Sequence, residues 1–116
     1  MGLTFVEGVV TGPNGNQRTL NFLVDSGATY TALPYAVWKD LGLQPKRDMD
    51  FILADGTRMK RNISECHIKL DLGDTNTPVI LGETEDEPLL GAVTLEELGL
   101  VLNPFRRQLQ PMKAYL

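Results

Sequence analysis

Two dipeptides, Asn14-Gly15 and Asp55-Gly56, constrain the fold of this chain more than any other feature. Each lies between short runs rich in β-formers. Asx-Gly in that setting is a strong hairpin signal, because a two-residue turn needs positive φ that glycine adopts freely. Residues 3–10 read as a strand, Gly12 to Asn16 as a turn, and residues 19–24 as the return strand. On that return Leu20, Phe22 and Val24 share one apolar face. Residues 51–54 and 57–60 flank the second signal. Residues 30–33, 63–72, 77–81, 101–102 and 109–116 read as further strands. In the segment 63–72, Cys66, Ile68, Leu70 and Leu72 point one way, Lys69 and Asp71 the other.

Two short helices interrupt the strands. The first covers residues 34–41, with Pro34 at its first position, Gly42 just past its end, and Val37, Trp38 and Leu41 on its buried face. The second follows Pro88-Leu89-Leu90-Gly91 and ends near Leu98-Gly99. Many short strands with two short helices give an all-β barrel or sandwich class.

The chain has 116 residues, 42% of them apolar and 22% charged, so residues 1–116 are read as a single globular domain. Its net charge of −4 argues against a nucleic-acid partner and against an anionic membrane surface. Cys66 is the only cysteine, which excludes an internal disulfide and fits a reducing compartment. No basic-then-apolar leader opens the sequence, and no apolar run approaches the ~20 residues that span a bilayer. The expectation is a cytoplasmic protein, or a domain cut from a longer one.

The chain also echoes itself. Leu23-Val24-Asp25-Ser26-Gly27-Ala28 precedes a short helix ending Leu41-Gly42-Leu43. Pro88-Leu89-Leu90-Gly91-Ala92 precedes another ending Leu98-Gly99-Leu100. Aligning Gly27 with Gly91 sets Leu89 opposite Asp25.

Asp25-Ser26-Gly27-Ala28-Thr29 carries the chemistry. A carboxylate follows directly on an apolar strand, and small residues around it leave room for another chain to approach. The plain alternative is a strand followed by a turn, with Asp25 and Ser26 bonding local backbone. What favours chemistry is the frame around the pentad. Leu23 to Thr29 resembles the apolar–apolar–Asp–Thr/Ser–Gly–Ala signature of the retropepsin-like aspartic proteases. The 51–59 hairpin stands where that family has its flap, and Leu89-Leu90-Gly91 matches its apolar–apolar–Gly element before a helix. All three occur in the family's order.

This resemblance implies a small acid-protease β-barrel, active as a homodimer, that hydrolyses peptide bonds with no metal and no cofactor. It implies that two copies of Asp25 are catalytic, share one proton and activate a water. Ser26 would bond across the dimer, and Gly27 would offer its carbonyl to the substrate backbone. Ala28 and Thr29 would complete the catalytic loop. Ala54, Asp55, Gly56 and Thr57 would form the flap over a peptide or protein substrate. Leu90 and Gly91 would pack beneath the loop. With Leu89 at the echoing position, one chain lacks the second aspartate that pepsin-like enzymes carry in the same chain. There are departures from the pattern: Ser26 replaces the commoner threonine, Thr29 stands where many retroviral enzymes have aspartate, the flap tip carries Asp55, and residues 103–116 are less easily placed.

Other readings are weaker. A non-catalytic peptide-binding or dimerisation module on the same fold keeps Asp25 as a relic. A small sandwich of unrelated function is a third. His67, the only histidine, has no nucleophile elbow to serve, and Cys66 reads as core. The acidic run 83–87 has no ligand spacing, and Lys46-Arg47 and Arg106-Arg107 are isolated pairs.

Overall fold

The protein, described for residues 2–113 in a computed structural model, is built from nine strands and two short helices among those residues. Strand β1 (Phe5–Thr11) turns through Gly12–Asn16 into β2 (Gln17–Val24), and the two pair antiparallel from Phe5↔Leu23 to Thr11↔Gln17. The turn is a five-residue loop and not a two-residue one: Gly15 alone has positive φ, +84, and its N–H donates to the Gly12 carbonyl at 3.0 Å. β3 (Thr31–Leu33) leads into α1 (Tyr35–Asp40). β4 (Arg47–Ile52) and β5 (Arg58–Leu70) form the second hairpin, and β6 (Gly73–Leu81) returns along β5. β7 (Leu89–Leu90), α2 (Ala92–Glu97), β8 (Leu100–Asn103) and β9 (Gln108–Pro111) complete the chain.

The main sheet runs β1-β2-β7-β3-β6-β5-β4, and β1 also pairs with β5 through Val9↔Lys69, Val10↔Ile68 and Thr11↔His67. That last pairing closes the strands into a barrel and removes most open edges. The inward residues of the expected alternation fill it: Phe22, Val24, Ile68 and Leu70 are buried together with Val10, Leu33, Val79 and Leu90. Each fully buried side chain of this size contributes roughly 1.5–3 kcal/mol.

Several sequence expectations need correction. Residues 57–60 and 63–72 are one strand, β5, of 13 residues, not two. It ends at Leu70, so Leu72 turns outward and is 52% exposed instead of continuing the apolar face. Lys46 and Arg47 are both exposed, and Arg47 opens β4. Pro34 is the N-cap of α1, one residue before the helix. The stop was read correctly. Gly42 has φ +72, and Gly42 and Leu43 donate to the carbonyls of Lys39 and Trp38, closing a Schellman turn.

β8 and β9 form a separate two-stranded antiparallel sheet. Leu100 is buried, Val101 is 43% exposed and Phe105, in the connecting turn, 88%. The expected 109–116 strand ends at Pro111; its last three positions lie outside the described residues. Among the described residues no helix is long and apolar enough to cross a membrane.

Candidate active site

Asp25 stands where β2 leaves the barrel. The last residues of β2 pair in parallel with β7, Leu23 with Leu89 and Val24 with Leu90. The Leu23 N–H donates to the Pro88 carbonyl and the Asp25 N–H to the Leu90 carbonyl, both at 3.0 Å. The two halves of the sequence echo therefore lie side by side, although their ladder runs two residues out of step with the glycine-on-glycine alignment.

Beyond Asp25 the chain turns sharply. The Asp25 carbonyl accepts from the Ala28 N–H at 3.1 Å, and its Oδ1 accepts from the Gly27 N–H at 3.0 Å. Such an Asx turn fixes the carboxylate's direction while leaving Oδ2 without a protein partner among the described residues. Asp25, Ser26 and Gly27 are exposed on this single chain. Gly27 does not need a left-handed backbone, contrary to one reason for expecting glycine there. Its smallness matters instead, because a Cβ would stand 3.3 Å from Asp25 Oδ1.

The far end of the loop is pinned to α2. The carbonyls of Ala28 and Thr29 accept from the N–H groups of Ala92 and Val93 at 2.8 and 2.9 Å. These satisfy two of the unpaired donors at the helix start, which has no side-chain cap. Gly91 lies beneath. A Cβ on it would come within 2.4 Å of the Tyr30 carbonyl carbon, so only glycine allows this approach. Leu90 is fully buried.

The β4–β5 hairpin pairs Ile52 with Arg58 and carries Ala54 to Thr57 at its tip. The Leu53 N–H donates to the Thr57 carbonyl at 2.8 Å and the Gly56 N–H to the Leu53 carbonyl at 2.9 Å. Gly56 has φ +86 with nothing within 4 Å of a built Cβ, so the tip is open. Bonding from the Thr57 hydroxyl, then from its N–H, holds the Asp55 carboxyl below its ordinary value.

Sequence reasoning missed what ties this hairpin to the loop. Arg47, Met49 and Phe51 share one strand face. Phe51 meets Tyr30 edge-on at 6.3 Å between centroids, and the Arg47 guanidinium lies 5.8 Å from the same ring. Arg61 on β5 pairs with Glu83 of the acidic loop at 3.4 Å. Nothing in the sequence pattern brings Tyr30 to Arg47 and Phe51, since it lies in the Asp25 loop and they lie on β4.

Two concavities flank these elements. One of about 430 Å³ lies beside Ser26, lined by Ala92, Leu95, Leu100, Val101 and Met112. Another of about 390 Å³, between Gly12-Pro13, Gly42-Leu43 and Cys66-His67, includes none of the Asp25 loop. Its groups are poorly suited to nucleophilic chemistry. Burial pushes the Cys66 thiol up to about 12, which leaves almost no thiolate at neutral pH. Both ring nitrogens of His67 are engaged, one by Asn76 and one by Asp74, each at 2.9 Å.

A closed barrel, a carboxylate at a strand end, an apolar–apolar–Gly partner strand and a hairpin that touches the loop at Tyr30 belong to the retropepsin-like class. Residues 14–97 match the family described as "gag-polyprotein putative aspartyl protease", and the chain belongs to that family. The match takes in the Asp25 loop, the hairpin and Leu89-Leu90-Gly91, and stops before β8. The fold is that of solved retroviral proteases. The solution structure of simian foamy virus (mac) protease is 22% identical with a TM-score of 0.59, over 82% of this chain and 94% of that one. EIAV protease complexed with the inhibitor HBY-793 is 19% identical with a TM-score of 0.63, over 88% and 93%. No curated protein sequence matches the chain.

Proposed function

We propose that this chain, as one domain over residues 1–116, is half of an aspartic endopeptidase completed by a second copy. One observation carries the reading: in a chain of the aspartyl protease family, the Asp25 carboxylate is exposed just past the end of β2, with Oδ2 unpartnered among the described residues. The sequence echo carries Leu89 where a second motif of this kind would carry its acid, so one chain supplies one such carboxylate. A two-fold axis beside the loop would bring two Asp25 side chains together in an isologous contact. The apolar groove next to Ser26, with the exposed Val101 and Met112, supports the same face as the one a second copy covers.

Two carboxylates in contact cannot both ionise cheaply, so such a pair holds one proton between them. The ionised group takes a proton from a water lying between the two. The resulting hydroxide adds to the scissile carbonyl while the protonated group gives its proton to that oxygen. Collapse of the tetrahedral diol cleaves the C–N bond, with a proton passed to the leaving amine. In this reading Ser26 bonds across the dimer, the Gly27 carbonyl receives a substrate N–H, and Ala54 to Thr57 close over the peptide as a flap, excluding water. Thr29 brings a hydroxyl where many retroviral enzymes have a carboxylate, so a carboxylate contact to the substrate backbone does not carry over to this position.

The rival is a peptide-binding or dimerisation module. The Asx turn at Asp25 favours it to one extent, because a plain turn would use the carboxylate in the same way. The two readings part on hydrolysis. The proposed enzyme cleaves an unfolded protein at mildly acidic pH, and its specific activity falls on dilution through the dimer dissociation constant. Undiminished activity in a monomeric sample would overturn the dimer, and a chain that binds peptides but cleaves none is the module.

A further inference from the structure

Three threonines from three elements meet in the core: Thr31 on β3, Thr77 on β6 and Thr94 on α2, each fully buried. Thr31 Oγ1 and Thr94 Oγ1 are 2.6 Å apart, and Thr94 Oγ1 and Thr77 Oγ1 2.8 Å. Thr77 donates to Glu97 Oε1 at 2.9 Å, and the Gly91 N–H donates to Thr31 Oγ1 at 3.1 Å.

The direction of every bond follows from counting protons. A hydroxyl has one proton to give, an ionised carboxylate none, and a peptide N–H can only donate. Thr77 gives its proton to Glu97, so Thr94 must donate to Thr77, and Thr31 in turn to Thr94. The chain therefore runs one way, from the Gly91 N–H through Thr31, Thr94 and Thr77 to the Glu97 carboxylate. Among the described residues no buried side-chain nitrogen or oxygen is left without a partner. Bonds aligned in this way polarise one another, more so in a dry core.

The peptide group at the head of this chain is the one that holds Asp25. Its N–H belongs to Gly91 and its carbonyl to Leu90, and that carbonyl accepts the Asp25 N–H at 3.0 Å. The same peptide is pressed against the Tyr30–Thr31 backbone. Valine would fill the space of each threonine without any of these bonds, so packing alone does not account for three hydroxyls here.

We propose that Thr94, as the middle of a directional hydrogen-bond chain from the Leu90–Gly91 peptide to the Glu97 carboxylate, is a positioning residue for Asp25. This role rests on Asp25 being catalytic, but the chain itself does not. Glu97 anchors the solvent-facing end, where water can partly replace it, so the buried Thr94 carries the larger effect.

The test uses the intact chain, with the Gly91 and Asp25 amide protons followed by NMR beside peptide hydrolysis. Thr94→Val should move both resonances upfield and speed their exchange. It should lower kcat about tenfold, the worth of roughly one net hydrogen bond, with KM nearly unchanged. Thr94→Ser, which restores the hydroxyl, should return all of these toward wild type. Glu97→Leu at the exposed end should shift the Gly91 amide in the same sense but less, and it serves should Thr94→Val fail to fold. Unmoved amides in Thr94→Val, or in Glu97→Leu if only that variant folds, overturn the proposal. So does Thr94→Ser behaving like Thr94→Val. If the wild type hydrolyses nothing, the catalytic reading of Asp25 falls, and the amide resonances still decide whether the chain exists.

Discussion

The strand ends at Asp25 and at Leu90 look alike in sequence and lie side by side, yet they do opposite jobs. Each has two apolar residues, a glycine and a short helix closed by a glycine at positive φ, Gly42 in one and Gly99 in the other. The first unit turns its polar residues outward, with Asp25, Ser26 and Gly27 exposed. The second is sealed, with Leu90 at 0% and Gly91 against the Tyr30 backbone. The difference teaches that a shared local pattern sets the backbone path, and burial decides what the path is used for. One unit presents a carboxylate; the other supplies the carbonyl that orients it.

The largest expected effect breaks the exposed unit chemically while keeping its shape. Asp25→Asn retains an acceptor oxygen for the Gly27 N–H but removes the acid. In the proposed dimer both halves of the pair are lost at once. Hydrolysis should fall by more than the ~10²–10⁴-fold typical of losing one general acid–base group. Folding should survive, and dimer affinity should hold or rise at neutral pH, since two facing amides lack the repulsion and desolvation cost of two carboxylates. Steady-state kinetics and sedimentation on the same samples check both halves. Hydrolysis that persists in Asp25→Asn would show that another residue does the chemistry.

Next comes the contrast between the two glycines. Gly91 has φ −100, which any residue can adopt, so the objection to a side chain there is purely steric. Gly91→Ala drives a Cβ into backbone at 2.4 Å, where no flexible side chain can yield. Overpacking of this kind costs roughly 1–3 kcal/mol and can cost more. Gly27→Ala meets only the Asp25 carboxylate at 3.3 Å on an exposed loop, and its stability should change by no more than about 0.5 kcal/mol. Denaturant melts of the two variants measure the gap. Equal losses would mean that the two units are equally packed, contrary to the description above.

Much of this contrast is legible in the sequence. The Asx-Gly turns, the inward face of β2, most of the inward face of β5, the glycine stops of both helices and the order of the three motifs all depend on chemistry local to a few residues. What escaped was non-local. Alternation gives the face of a strand but not its end, so the pattern alone divides β5 in two and carries Leu72 inward. The threonine chain joins residues 31, 77 and 94, and a buried threonine reads in sequence like any strand or helix residue. The contact of Arg47 and Phe51 with Tyr30 depends on how far the hairpin folds back over the loop. The two-residue offset between the sequence echo and the β2–β7 ladder is likewise a property of the closed barrel.

The hairpin tip extends the comparison to a third glycine. Gly56, at φ +86, is needed for its backbone angle, unlike Gly27 or Gly91. Gly56→Val places a β-branched residue in the left-handed region, at a cost of roughly 1–2 kcal/mol. Because nothing packs on the tip, local rearrangement can relieve that strain. Turnover should therefore drop several-fold while the melting temperature moves little. A melting temperature that collapses instead would make this turn part of the core and displace the proposed flap.

The smallest effect isolates the turn chemistry that Asp25 and Asp55 share. Each carboxylate accepts, through Oδ1, the N–H two residues on: Gly27 for Asp25 at 3.0 Å, Thr57 for Asp55 at 2.9 Å. Asp55 stands on an open tip and adds a second donor, the Thr57 hydroxyl, that Gly27 cannot supply to Asp25, so the two contributions can be separated there. Its carboxyl is held below the ordinary 3.8 by the Thr57 hydroxyl first and the Thr57 N–H second. A carboxylate whose folded value is depressed stabilises the fold above its unfolded value and loses that contribution as pH falls through the folded one. The contribution of Asp55 is therefore complete at neutral pH and disappears only below about 3.8. At full exposure, solvent and salt screen it heavily. A carbon-detected NMR titration should give Asp55 a midpoint under 3.8, and Thr57→Val, which removes the hydroxyl but keeps the N–H, should move it part of the way back. If Asp55 titrates at or above 3.8 in the wild type, the turn is not closed in solution, and the tip cannot serve as the isolated counterpart of the Asp25 loop.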